Sequence, residues 1–111
     1  MTPEDVVRAN FEAYLRQDRA ACEALLGEAL TFTSPQDDHI DRQAFLERCF
    51  PTADRVARQD LLHVVKADER DVFILYEYEL KSGETYRNTE LITVVDGRIV
   101  EIQVFFGGAV T

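Results

Sequence analysis

"YRNTELITVVDGRIVEIQVFF", residues 86–106, decides the fold. On both sides of Asp96-Gly97, β-branched and aromatic residues are interleaved with polar ones, the pattern of two antiparallel strands joined by a tight turn. Asn88 and Glu90 lie two residues apart and share a face. Which face depends on the turn. A two-residue loop, Asp96-Gly97, sets Glu90 opposite Gln103 and mixes Arg87 with Phe106 and Ile92 with Glu101. A three-residue loop, Val95-Asp96-Gly97 with Gly97 left-handed, sets Glu90 opposite Ile102. One residue of slip exchanges the faces. The second register separates them better. Asn88, Glu90, Ile92 and Val94 then join Val100, Ile102, Val104 and Phe106, while Arg87, Thr89, Thr93, Glu101 and Gln103 gather opposite with Leu91 and Phe105. A carboxyl group is thereby placed on an apolar face.

Working outward, "LLHVVKA" (61–67) and "VFILYEYEL" (72–80) are two more strands, with "DERD" and "SGE" as turns. The N-terminal half has helical periodicity instead. Thr2 and Pro3 are an N-cap and first helical residue, followed by Glu4 and Asp5 to complement the dipole. Val7, Asn10, Phe11, Tyr14 and Leu15 then form one face. Asp18 caps a second helix ending at Leu26, with Gly27 beyond it. "LTFTSP" (30–35) is a short strand and "QDDHI" (36–40) a loop. Asp41 caps a third helix running to about Phe50, ended by Pro51. The predicted order is ααβαββββ. Helices gathered at one end of the chain imply an α+β fold, with helices packed on one face of a curved antiparallel sheet.

The 111 residues fit a single domain, 1–111, with no repeat or linker. A net charge of −9, with basic residues scattered, argues against nucleic acid and anionic membranes. No segment resembles a signal peptide or a bilayer span. Cys22 and Cys49 read as lone thiols in a reducing cytoplasm, not as a disulfide framework.

This order of elements resembles the nuclear-transport-factor-2-like superfamily, in which a curved sheet wraps around helices to form a cone-shaped α+β barrel. "FTSPQDDHIDRQAFLERCFP" (32–51) and "YRNTELITVVDGRIVEIQVFFG" (86–107) look like the signature stretches of a SnoaL-like group, related to the ketosteroid isomerases. The resemblance spans essentially the whole chain. It implies a ligand inside the cone, between the sheet and the first and third helices, and a homodimer formed through the outer sheet face. Residues matching the pocket-lining positions of the last strand are Ile102, Val104 and Phe106. The isomerases have a base Asp before Pro on the first strand; Ser34 stands there. Their oxyanion-hole Tyr corresponds to Asn10, with Tyr14 one turn on. Their second, protonated Asp corresponds to Glu90. Two of three roles are altered, and the fold hosts enzymes and non-enzymes alike.

The residues themselves point the same way. A carboxyl on an apolar face has its ionised form disfavoured, so Glu90 is expected to titrate near neutrality and to serve general acid–base chemistry. Asn88 would orient it. Tyr76 and Tyr78 share a face that turns inward, while Glu77 and Glu79 take the solvent side. Phe32 and Ser34 of the first strand complete the expected pocket. Asp38 and His39, at the mouth of the cone, are candidate proton carriers. Asp37 belongs to the same polar cluster, and for both aspartates the competing reading is a solvated turn. His63 shares a face with Leu61 and Val65 and reads as a core histidine. No His or Cys spacing supports a metal, and no cofactor is expected. Two readings follow. One is an enzyme acting on a small hydrophobic carbonyl or hydroxyl compound, by isomerisation, cyclisation or dehydration. The other is a non-catalytic binding or interaction module. Phe73, Leu75, Leu91 and Phe105 on the outer sheet face favour a dimer.

Overall fold

The computed structural model describes residues 1–110. At the N-terminus Thr2 and Asp5 form a reciprocal capping box, each side chain accepting the other's backbone N–H at 3.1 Å. Helix α1 (Pro3–Arg16) starts there and ends at Gln17, which takes a left-handed φ of 57°. Its inner face buries Val6, Val7, Asn10, Phe11 and Ala13. Asp18 caps α2 (Arg19–Leu25) by accepting from the Ala21 N–H. The helix stops one residue earlier than expected, because Leu26 opens strand β1 (Leu26–Ser34). Gly27 lies inside this strand. A Cβ there would sit 3.3 Å from the Ile99 carbonyl oxygen, so glycine allows the neighbouring strand to approach closely.

The expected loop around residues 36–40 is largely a strand. Ser34 Oγ accepts the N–H groups of Gln36 and Asp37, tightening the turn, and Asp37–Asp41 return as β2 alongside β1. Asp41 caps α3 (Arg42–Arg48). This helix is shorter than expected. Pro51 lies at the start of a 3-10 turn, Phe50–Arg55, in which its missing N–H has no cost. Then come β3 (Val56–Lys66), β4 (Asp71–Leu80), β5 (Thr85–Val95) and β6 (Arg98–Ala109).

The six strands form one sheet in the order β2-β1-β6-β5-β4-β3. Every neighbouring pair is antiparallel except β1 and β6, which run parallel, so the sheet is mixed. The fold is α+β, with the helices packed against one face of the sheet.

The β5–β6 hairpin takes neither of the two registers read from the sequence. Its turn is the two-residue one, with Asp96 at φ 52° and Gly97 at φ 77°, and Val95 faces Arg98. Val100 is then an extra residue: Val94 faces Ile99, but Thr93 faces Glu101. This bulge shifts the register by one and restores the expected faces. Glu90 faces Val104, Asn88 faces Phe106 and Ile92 faces Ile102. The inner residue nearest the turn is Ile99, fully buried, in place of Val100. A second bulge, at Leu62, pairs Leu61 with Tyr76 and His63 with Leu75. His63 therefore leaves the face of Leu61 and is exposed on the outer side, not in the core.

Val72, Ile74, Ile92, Ile99 and Ile102 are sealed beneath Val6 and Val7 of α1 in one core. Each such burial stabilises the fold by about 1.5–3 kcal/mol. Among the described residues no helix is long and apolar enough to cross a membrane.

Candidate functional site

The core does not fill the inner face of the sheet. Strand pairing stacks inward residues in rows. Val72, Ile92 and Ile102 form a sealed row. Beside it lies Ile74–Glu90–Val104, then Leu61–Tyr76–Asn88–Phe106, then Gln59–Tyr78–Tyr86. Helix α1 covers these rows with Asn10, Phe11 and Tyr14; the α3 side contributes Phe45, Cys49, Phe50 and Thr52. Between them is a cavity of about 620 Å³. The sheet-facing wall is a run of rings. Phe11 meets Tyr76 edge-on at 5.1 Å, Tyr76 lies 6.0 Å from Tyr78, and Tyr78 stacks on Tyr86 at 5.7 Å.

Glu90 lines this cavity. Among the described residues its carboxyl has one hydrogen-bonding partner, the Tyr76 hydroxyl, which donates to Oε2 at 2.6 Å. Asn88 Nδ2 in turn donates to the Tyr76 oxygen at 3.3 Å, so the three side chains form a chain ending at the carboxyl. Burial raises the Glu90 pKa from 4.5 to about 7, and the Tyr76 hydrogen bond offsets only part of the shift. Burial, followed by the adjacent Glu90 charge, holds the Tyr76 phenol protonated well above the ordinary range.

Several other polar groups in the wall are engaged. The Thr52 hydroxyl donates to the Cys49 carbonyl at 2.7 Å, so Tyr14 must be the donor in its 2.6 Å contact with Thr52 Oγ1. The Cys22 thiol points to Asn10 Oδ1 at 3.3 Å. Burial raises the pKa of Cys22 to about 11 and that of Cys49 to about 12, with Asp37 adding to the second, so neither is a ready nucleophile. Asp37 lies 3.6 Å from Arg48.

Asn10, Tyr14, Phe32, Ser34, Tyr76, Tyr78, Asn88, Ile102, Val104 and Phe106 all line the cavity with Glu90. Asp38 and His39 do not. They hydrogen-bond each other at 2.6 Å on β2, with side chains 94% and 67% exposed, and His39 is held at a left-handed φ of 48°. The residue of that cluster that reaches the cavity is Asp37. The alternation of a short edge strand separates it from Asp38, but a polar edge strand gives no apolar signal by which to find it. Arg48, Arg55 and Gln59 also line the cavity and were not singled out in the sequence. Ser34, where the resemblance implies a base, has its oxygen engaged by two backbone N–H groups. Among the described residues no group of three or more His, Cys, Asp or Glu side chains is placed to hold a metal ion.

No family model matches the chain, and no curated protein matches it. Solved structures do. An NTF2-like protein of unknown function from Mesorhizobium loti is 26% identical, with 96% of this chain and 91% of that one covered and a TM-score of 0.80. A protein from Kribbella flavida is 20% identical over 92% of this chain and 84% of its own, with a TM-score of 0.84. An NTF2-like protein of unknown function from Cytophaga hutchinsonii is 21% identical over 96% and 90%, with a TM-score of 0.76. The likeness lies in the whole arrangement of helices and sheet: this chain has the NTF2-like fold.

Proposed function

We propose that the chain binds a small hydrophobic compound bearing a carbonyl or hydroxyl group and moves a proton on it without a cofactor. This is chemistry of the isomerase, cyclase or dehydratase kind, as in the SnoaL-like and ketosteroid-isomerase-like branch of the NTF2-like proteins. The observation that carries the reading is Glu90, a carboxyl in an aromatic cavity with one hydrogen-bonding partner and a pKa raised to about 7. Near neutral pH it is present in both protonation states, as a proton shuttle requires. Ionised, it would take a proton from a carbon beside a carbonyl. Protonated, it would return one, freeing Tyr76 to donate to the ligand oxygen. Asn88 holds the Tyr76 oxygen in place, and the rings give the ligand an apolar wall.

A nitrobenzisoxazole tests this directly. A carboxylate base removes its ring C–H proton as the N–O bond breaks, releasing a coloured cyanophenolate. The rate is expected to rise with pH to a plateau with a midpoint near 7, and to fall about 100-fold in Glu90→Gln. A rate unchanged in that variant would end the reading.

A second reading, ligand binding without turnover, is favoured by one observation: Asp37, Tyr14 and both cysteines are engaged or held protonated, leaving Glu90 without a second proton carrier. A ligand retained in native mass spectrometry with no turnover would support it.

Two further features bear on the chain's setting. Phe73, Phe105 and Val65 stand exposed on the outer sheet face, which we assign to an isologous homodimer. Two unbridged thiols fit a reducing compartment such as the cytoplasm.

A further inference from the structure

The cavity's charges differ from those of the molecule around it. The chain carries −9. Its cavity, however, is lined by two carboxylates, Asp37 and Glu90, and two arginines, Arg48 and Arg55. Asp37 and Arg48 lie 3.6 Å apart and cancel. Glu90 is only partly ionised at neutral pH. Arg55 has no carboxylate within ion-pairing distance among the described residues. The cavity wall is therefore neutral to positive in a strongly acidic protein, and Arg55 accounts for the difference.

The fold sets where that charge lies. Arg55 closes the 3-10 turn immediately before β3, and its carbonyl accepts the Lys81 N–H just beyond β4. The next residue, Val56, pairs with Leu80 at the far end of β4. Glu90 pairs with Ile74, six residues back along the same strand, a span of roughly 20 Å. Between them run the Tyr76, Tyr78 and Tyr86 rings. Arg55 is exposed and yet lines the cavity, which places it at the mouth. Its charge slightly opposes the burial-driven rise of the pKa of Tyr14, whose hydroxyl meets Thr52 of the same turn. Gln59, on the inward row with Tyr78, adds an amide to the wall.

Building on the cavity as the ligand site, we infer that its ligand is elongated and amphipathic: an oxyanion such as a carboxylate pairs with Arg55 at the mouth, and an apolar body carries a carbonyl or hydroxyl group inward to Tyr76 and Glu90. Arginine's planar fork matches an oxyanion with two parallel hydrogen bonds. The surrounding acidic surface repels anions generally, so this contact selects molecules whose apolar part enters the cavity.

Two dyes of one ring system separate the parts of this inference. Anilinonaphthalene sulfonate carries the oxyanion, and N-phenylnaphthylamine lacks it. Each is titrated by fluorescence, with the methyl signals of Ile102 and Val104 reporting entry into the cavity. Arg55→Gln is expected to weaken the sulfonate about five- to tenfold and to leave the neutral dye unchanged. Added salt should weaken only the sulfonate. Arg98→Gln, in the distant β5–β6 turn, should change neither. Equal effects of Arg55→Gln on both dyes, or none on the sulfonate, would overturn the inference while neutral-dye binding leaves the cavity reading standing. Failure of either dye to move the Ile102 and Val104 signals would overturn both.

Discussion

At Glu90 the cost of burying a charge and the ability to hold a proton near neutrality are the same quantity. Its pKa rises from 4.5 to about 7 on folding. Across that window the folded chain binds the proton more tightly than the unfolded chain, so stability falls as pH rises and levels off above neutrality. Every tenfold gain in proton affinity corresponds to about 1.4 kcal/mol, so the destabilisation is on the order of 3 kcal/mol. Glu90→Gln keeps the shape and an acceptor for Tyr76 but has no charge to desolvate. In urea titrations the variant should exceed the parent by about 2–3 kcal/mol well above neutrality, the gap closing as pH falls through the window. A pH-independent gap would place the carboxyl in solvent. Independently, the Glu90 carboxyl carbon signal in NMR should titrate near 7; a midpoint in the ordinary carboxylate range would remove both the stability effect and the proton chemistry.

At the scale of the element, two glycines in β6 and its turn test two different constraints. Gly97 adopts φ 77°, and a Cβ there would touch nothing within 4 Å. Gly97→Ala therefore introduces backbone strain alone, expected to cost about 1–2 kcal/mol in chemical denaturation and to leave dye binding intact. Gly107 has the opposite problem. A Cβ there would lie 2.4 Å from the Arg87 carbonyl oxygen. Gly107→Ala must push β6 away from β5 beside the cavity mouth, so it should disturb ligand binding as well as stability. These elements also mark how far the sequence reads. The caps at Thr2, Asp18 and Asp41 are local hydrogen bonds within three residues, and each was legible. The inward face of β5 was legible because alternation fixes parity. Its partner was not, because the Val100 bulge is a property of the pair and not of either strand. Strand β2 carries little alternation, and the parallel β1–β6 pairing depends on contacts about seventy residues apart in the chain, for which periodicity holds no information. Asp38 and His39 were proposed on chemistry type and on their place at the mouth of the cone; the left-handed backbone at His39 and the solvent-facing edge strand place both outside the cavity.

At the scale of the whole molecule, the two faces of the sheet pose opposite problems. The inner face is covered by α1 and leaves a cavity; the outer face has no covering layer among the described residues. There Phe73 pairs with Leu91, and Leu75 pairs with Thr89, which also faces Phe105. Phe73 and Phe105 are about half exposed, at 44% and 53%, as is Val65. Toward the far end of β4 the character changes to ion pairs. Arg58 contacts Glu77 and Glu79, and Arg87 contacts Glu77 at 3.0 Å. Exposed pairs of this kind add little stability, yet they mark where an apolar interface would end and fix its orientation. An isologous dimer across the two-fold axis would set one apolar patch on its twin and leave both cavities open. The parent chain is expected to sediment as a dimer. Phe105→Asp adds a charge on the β6 side of the patch, and its desolvation on association should shift the equilibrium to monomer at micromolar concentration. Because Phe105 faces away from the cavity, the Glu90 titration and neutral-dye affinity of that variant should match the parent. A parent chain that sediments as a monomer would remove the dimer. A variant that loses dimerisation and the Glu90 titration together would show instead that the two faces are coupled, with the outer contact needed to hold Tyr76, Asn88 and Glu90 in register.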